Sequence, residues 1–140
     1  MNNRNLLSVT DLSPTEVNFI LGRAIELKQG AKSASLFGKT VALLYEKPSL
    51  RTRVSFDVAI HQLGGHASYL GRDEIGLGNR EAIGDVARVL SGYVNAIVAR
   101  TYSHQTLEEL AVYSSVPVVN ALSDAEHPCQ AFGDLLTIKE

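Results

Sequence analysis

The chain has 140 residues, the length of one ordinary domain and enough to bury a sizeable core. Its 45% hydrophobic and 20% charged residues exclude a disordered tail, a collagen-like chain and a charged linker. Thirteen basic and fifteen acidic residues give a formal net charge of −2, which argues against broad electrostatic capture of nucleic acid or of an anionic membrane.

The sequence also indicates a compartment. Its single cysteine, Cys129, excludes an intrachain disulfide framework and fits a reducing environment. No apolar run reaches the roughly 18 residues of a membrane span, and no signal-peptide core follows Leu6 and Leu7. We therefore expect a cytoplasmic protein that contacts neither membrane nor nucleic acid.

The first predicted helix opens with several start signals. Ser13 can cap it, Pro14 suits its first position, and Glu16 sits three residues after the cap. Its buried stripe is predicted at helical spacing: Val17, Ile20, Ala24 and Leu27. The apolar run 40–45 that follows is typical of a strand buried on both faces.

Helices and strands continue to alternate in the rest of the chain. Apolar spacing predicts further helices at 56–63, at 83–90, around 107–111 with Glu108 and Glu109 in the first turn, and from Pro128 onward. Further strands are predicted at 67–70, 96–99 and 116–121, and a glycine-rich loop at 71–80. This alternation predicts an α/β fold, a three-layer sandwich with a four-stranded parallel sheet flanked by helices.

A polar segment, residues 46–53, follows the first strand. It brings the hydroxyls of Ser49 and Thr52 and the guanidinium groups of Arg51 and Arg53 to a loop that precedes the next helix. Many hydrogen-bond donors and positive potential at a helix N-terminus are what a dianionic phosphate needs. A capped helix start with solvated arginines explains the segment equally well.

Two more polar clusters follow the third and fourth strands. Arg100 ends the third strand, although a lone arginine there is more often a surface residue. After the fourth strand, Pro128 fits the first position of a helix, which places His127 at the cap and Gln130 in the first turn. Because ligands of open parallel sheets bind outside the carboxyl ends of the strands, we expect all three clusters to surround one pocket.

Other candidate motifs are weaker. Gly76 and Gly78 lack the third glycine of a dinucleotide fingerprint, and no P-loop is present. His61 and His66 have no cysteine or carboxylate partners at metal-ligand spacing, so we predict no metal site. Cys129, near a helix N-terminus, is either a nucleophile or a packed thiol, and the lack of a dedicated base favours the thiol.

The three clusters together resemble one enzyme family. The segment 49–53 (Ser-Leu-Arg-Thr-Arg), Arg100 and the segment 127–130 (His-Pro-Cys-Gln) resemble the carbamoyl-phosphate-binding half of the aspartate/ornithine transcarbamoylases. The cysteine in His-Pro-Cys-Gln and the stretches 62–66 and 87–91 resemble the ornithine branch.

This resemblance implies a reaction in which the δ-amine of ornithine attacks carbamoyl phosphate, giving citrulline and phosphate. It implies that Ser49, Arg51 and Thr52 hold the phosphate together with the backbone of Leu50. It assigns Thr52, Arg100 and His127 as catalytic residues that contact the carbamoyl oxygen. Gln130 would contact the carbamoyl nitrogen, and no metal or organic cofactor is implied.

The sequence departs from the family pattern at two positions. Leu50 stands where the family commonly has a threonine, which deletes a hydroxyl but keeps the backbone donor. Gly76 stands where ornithine enzymes often present a glutamine to a neighbouring subunit, so Asn79 or Arg80 is expected to reach over instead. Family members are trimers built through this domain, and we expect a homotrimer.

The resemblance also implies a second half. We expect residues 1–140 to be the carbamoyl-phosphate-binding domain, without the ornithine-binding domain and inactive alone, of an enzyme of arginine metabolism. The same-family alternative acts on another amine: aspartate, putrescine or acetylornithine. A different alternative is a non-catalytic anion-binding or assembly module.

Overall fold

A computed structural model describes residues 4–78 and 80–140. The helices are a 3₁₀ turn at Val9–Asp11, α1 (Pro14–Lys28), α2 (Arg51–Gln62), α3 (Arg72–Ile75), α4 (Ile83–Ser91), α5 (His104–Tyr113) and α6 (Pro128–Lys139). The strands are β1 (Thr40–Tyr45), β2 (His66–Gly71), β3 (Ala96–Arg100) and β4 (Val118–Asn120).

The described strands form one parallel sheet in the order β2-β1-β3-β4. Side chains alternate between two apolar layers, so that Ala42 and Leu44 of β1 pack with α4 and α5, whereas Leu43 and Tyr45 pack with Ile60 of α2. β1 is buried on both faces, as its unbroken apolar run predicts. The predicted α/β fold with helices on both sides of a four-stranded parallel sheet is confirmed.

The N-terminal segment covers the outer edge of β4. Leu6 pairs with Val119, donating its N–H to Val118 O at 2.9 Å and accepting from Asn120 N at 2.8 Å. Val118 N also donates to the side-chain oxygen of Asn5 at 2.9 Å. These bonds satisfy backbone groups that an edge strand otherwise leaves open.

The start of α1 follows the sequence signals closely, but the buried face of this helix differs from the prediction. Ser13 and Glu16 form the predicted capping box with Pro14 at the first helical position. The predicted stripe is wrong at Ile20, which is exposed, whereas Leu21 is the buried residue of α1. Helical periodicity fixes which residues share a face, but the helices that pack against α1, such as α6, decide which face is covered.

Four local predictions need correction. α5 begins at His104 with Ser103 as its cap, so Glu108 and Glu109 lie beyond its first turn. The predicted loop 71–80 contains the short helix α3, and the fourth strand covers only Val118–Asn120. α2 begins at Arg51, within the segment predicted to precede the helix. Its N-cap is Leu50, which makes no side-chain cap, so the usual start signal is absent from the sequence.

No helix in residues 4–78 and 80–140 is both long and apolar enough to cross a membrane. The same residues contain no cluster of three or more histidine, cysteine or acidic side chains that could hold a metal ion.

Candidate active site

A cavity of about 590 Å³ lies at the carboxyl ends of β1, β3 and β4. Its lining residues are Pro48, Ser49, Leu50, Arg51, Thr52, Ser55, Phe56, Arg100, Leu122, His127, Cys129 and Gln130. All seven residues that the sequence predicted to bind substrate are in this set, so three segments far apart in the chain meet around one space. The roles assigned to them remain predictions.

The N-terminus of α2 opens onto this cavity. The first helical hydrogen bond runs from Val54 N to Leu50 O at 3.0 Å. The N–H groups of Arg51 and Thr52 precede this bond and therefore have no partner within the helix. No side chain caps this end, whereas serines cap α1 and α5. Uncapped N–H groups and the helix dipole favour an anion at this point.

Sequence reasoning missed two lining residues of the same helix, Ser55 and Phe56. They follow Arg51 and Thr52 by one helical turn and therefore lie on the same face. The i, i+4 spacing would have identified them had the helix start been recognised at Arg51.

The positive charge of the cavity comes from Arg51 and Arg100. Neither arginine forms an ion pair with any residue in the described part of the chain. No described residue that lines the cavity is acidic. Two guanidinium groups without an ion-pair partner, in a cavity whose described lining holds no carboxylate, suit a doubly negative ligand.

A hydrogen-bonded loop between β4 and α6 positions His127. Buried Asn120 donates from Nδ2 to Leu7 O at 2.8 Å and to Glu126 O at 3.3 Å, and its Oδ1 accepts from Leu122 N at 2.9 Å. Sequence reasoning missed Asn120, although an asparagine at the end of an apolar strand is itself a signal, because strands are depleted in asparagine.

Leu122 lines the cavity with an unusual backbone. Its φ of 145° lies in a region that residues other than glycine rarely adopt. Such a conformation costs about 1–3 kcal/mol and persists where neighbouring contacts hold it. Here Leu122 O accepts from Thr101 N at 2.9 Å, which ties the loop to the residue after Arg100.

His127 occupies the N-cap position of α6, without a capping bond from its side chain, and Pro128 takes the first helical position, as predicted. Burial lowers the pKa of His127 below its usual value, and the positive charge of Arg100 lowers it further, against a smaller opposite effect of Asp134. The imidazole is therefore neutral near pH 7 and can donate a hydrogen bond without carrying a charge.

The orientation of Gln130 follows from its neighbour Asp134. Gln130 Nε2 donates to Asp134 Oδ1 at 2.8 Å, and a carboxylate can only accept, so the amide nitrogen must face it. The carbonyl oxygen Oε1 is then the Gln130 atom placed to accept from a ligand N–H.

Cys129 has the properties of a packed thiol rather than a nucleophile. Burial raises the pKa of the Cys129 thiol to about 11. Its Sγ lies 3.5 Å from Asn120 O, to which it donates a weak hydrogen bond. A protonated thiol is a poor nucleophile, which agrees with the interpretation favoured from the sequence.

Two residues that the sequence analysis discussed, Arg53 and Gly76, do not line this cavity. The Arg53 guanidinium lies 3.6 Å from the centre of the Tyr69 ring, so it stacks there rather than joining Arg51 as the sequence suggested. Gly76 has a φ of 57°, and a Cβ on it would lie 2.7 Å from Arg80 Cβ, so this loop excludes a side chain. Asn79 and Arg80 were the residues expected to reach a neighbouring subunit in place of the family's glutamine. Arg80 lines a separate cavity, and Asn79 lies outside the described residues.

The sequence matches the model of a known family over nearly the whole chain. Residues 4–140 match the model of the aspartate/ornithine carbamoyltransferase carbamoyl-P binding domain. The chain belongs to this family.

The curated relatives that this chain matches are longer than the chain. The chain is 51% identical over 136 residues to an ornithine carbamoyltransferase of Haloquadratum walsbyi, covering 97% of this chain and 45% of the relative. It is 50% identical over 137 residues to that of Bacillus subtilis, covering 98% and 43%. The chain thus spans less than half the length of these curated relatives.

Solved structures agree with this assignment. The chain superposes on the ornithine carbamoyltransferase of Pyrococcus furiosus with a TM-score of 0.91 and 49% identity, covering 97% of this chain and 45% of that one. For the Thermus thermophilus enzyme the TM-score is 0.92 with 47% identity, covering 99% and 49%. An N-acetyl-L-ornithine transcarbamylase variant, solved with carbamyl phosphate, matches with a TM-score of 0.90 and 34% identity, covering 96% and 47%.

Proposed function

We propose that the cavity binds carbamoyl phosphate and that the chain is the carbamoyl-phosphate-binding domain of an ornithine carbamoyltransferase. The observation that carries this proposal is the meeting of two unpaired arginines with the uncapped start of α2, in a cavity whose described lining holds no carboxylate. Ser49, Arg51, Thr52 and the Leu50 backbone hold the phosphate.

The carbamoyl group takes the other side of the cavity. Thr52, Arg100 and His127 are the catalytic residues because they contact the carbamoyl oxygen, and Gln130 Oε1 accepts from the carbamoyl nitrogen. A neutral His127 suits this role, since it donates a hydrogen bond and keeps its proton. The support for this orientation is the bond from Gln130 to Asp134, which leaves the amide oxygen to face an N–H donor.

Catalysis is electrostatic in this proposal. The amine nitrogen forms a bond to the carbamoyl carbon, negative charge grows on the carbamoyl oxygen, and the C–O bond to phosphate then breaks. The phosphate leaves with the electron pair, and the proton lost by the amine ends on it. Fixed donors such as Arg100 lower this barrier, and removing one of them typically costs about 10²–10³ in rate.

The amine acceptor is ornithine, and the product is citrulline in arginine biosynthesis. The support is that curated relatives 50–52% identical to this chain are ornithine carbamoyltransferases. Residues outside this chain bind the amine, so the chain alone forms no citrulline. The single free cysteine, Cys129, is consistent with a cytoplasmic protein.

Calorimetric titration tests the binding proposal. We expect carbamoyl phosphate to bind with one site per chain and more tightly than acetyl phosphate. The latter has a methyl group in place of the amide nitrogen and cannot donate to Gln130 Oε1. Absence of binding, or equal affinity for both ligands, would contradict the proposed site.

We also propose that the chain assembles as a homotrimer through this domain, with a second copy covering the outer face of α2. The support is an apolar stripe of Leu50, Val54 and Val58, all exposed, that borders the cavity.

In sedimentation equilibrium we expect three times the mass of one chain. Val58→Glu should give a monomer, whereas Val112→Glu, at an equally apolar exposed position on α5, should not. A monomeric wild-type chain would overturn this proposal.

A further inference from the structure

Three buried side-chain atoms lack a hydrogen-bond partner within the described residues: Tyr45 Oη, Arg100 Nε and His127 Nδ1. Two of them belong to residues of the proposed carbamoyl site. Buried polar atoms in native proteins are nearly always paired, and an exception calls for a physical explanation. Tyr45 is 2% exposed and does not line the cavity, so the proposed mechanism leaves its hydroxyl unused.

Tyr45 and Arg100 are neighbours in the sheet. They are directly paired in the register of β1 and β3, so their side chains emerge on the same face, the one that Leu43 and Val98 share with α2. The ring of Tyr69 packs edge-on against Tyr45, with centroids 5.8 Å apart. This contact and the surrounding burial hold the Tyr45 ring in place.

Electrostatics agree with this geometry. Burial raises the pKa of the Tyr45 hydroxyl, and the main opposing effect is the positive charge of Arg100. The same arginine lowers the pKa of His127. The charge of Arg100, which lines the cavity, therefore acts on both other residues that carry unpaired groups.

We propose that Tyr45 is a positioning residue whose hydroxyl is linked to Arg100 Nε through one water, which accepts from Nε and donates to the hydroxyl oxygen. The inference rests on the proposed function, in which Arg100 contacts the carbamoyl oxygen. A guanidinium fixed at Nε keeps its plane, so that its terminal NH₂ groups point into the cavity. Tyr45 thus acts on the carbamoyl end of the ligand and leaves the phosphate end unaffected.

Tyr45→Phe tests this inference because it removes only the hydroxyl. In calorimetry we expect the affinity for carbamoyl phosphate to fall about threefold to tenfold, the range of one neutral hydrogen bond. The affinity for inorganic phosphate should stay unchanged, and the melting temperature should not fall. Tyr69→Phe is the matched control, since it keeps the ring contacts and removes a hydroxyl from a half-exposed neighbour.

A double-mutant cycle identifies the partner atom. In an Arg100→Lys background, which has no Nε–H, Tyr45→Phe should have no further effect. An unchanged affinity in Tyr45→Phe, an equal loss for both ligands, or an additive loss in the cycle would overturn the inference. If the wild-type chain bound no carbamoyl phosphate, the proposed function itself would fail, which is a distinct result.

Discussion

Replacing Arg51 by alanine is expected to weaken carbamoyl phosphate binding roughly 10- to 100-fold, because hydrogen bonds to a charged group contribute about 1.5–3 kcal/mol each. Arg51 lines the cavity beside the uncapped start of α2 and forms no ion pair within the described residues. Its whole charge is therefore available to the phosphate. Calorimetric titration of the variant against the wild-type chain measures the loss.

Arg53 provides a control on the same helix turn. Its guanidinium stacks on Tyr69 outside the cavity, so Arg53→Ala removes the same charge without removing a proposed ligand contact. We expect less than about a threefold loss of affinity. At physiological ionic strength, salt largely screens the interaction of exposed charges that are more than about 8 Å apart. Equal losses in the two variants would indicate general attraction of anions and would contradict a built phosphate site.

Leu107→Ala is expected to lower the free energy of unfolding by about 2–5 kcal/mol, through lost burial and the cavity left behind. Leu107 of α5 is 0% exposed and packs in the apolar layer that includes Leu44 and Ile97 of the sheet. A domain has only about 5–15 kcal/mol of stability in total, so this one change removes a large part of it. Urea unfolding followed by circular dichroism gives the value.

Val112 on the same helix is the matched comparison. It is 74% exposed, and Val112→Ala should change the unfolding free energy by no more than about 0.5 kcal/mol. Should Leu107→Ala fail to fold, Leu107→Met keeps the volume and is expected to cost less than about 1.5 kcal/mol. Similar values for Leu107→Ala and Val112→Ala would contradict the packing of α5 on the sheet.

The site depends on a sheet that is stable without it. β1 and β3 are buried between two layers of side chains, and polar residues follow where the apolar run of each strand ends. The loop after β4 adds a network through Asn120 and a strained Leu122. Packing energy in the sheet thus supports backbone and side-chain arrangements at its carboxyl edge that would not persist alone.

Much of the fold follows from local patterns. The apolar run 40–45 predicted β1 with both its bounds and its burial, and Ser13 with Glu16 predicted the capping box of α1. His127 and Pro128 predicted the start of α6. These signals act within a few residues, because caps, proline geometry and apolar runs depend on neighbours in the chain.

Other features depended on distant contacts. The start of α2 carries no side-chain cap, so the sequence placed Arg51 and Thr52 in a loop, although they belong to the first helical turn. Ile20 of α1 is exposed, because elements that are remote in sequence decide which face of this helix is covered. The stacking of Arg53 on Tyr69 likewise needs the pairing of β2 with β1 beside α2.

The sequence by itself determined the order of helices and strands, the parallel sheet, and the residue types at each strand end. Only the tertiary structure decided that Arg51 and Arg100 share a cavity, that Arg53 does not, and that Gln130 is oriented by Asp134. The physical reason is range: helix caps and apolar runs are set by residues close together in the chain, whereas convergence of charges requires the buried sheet to bring distant segments together.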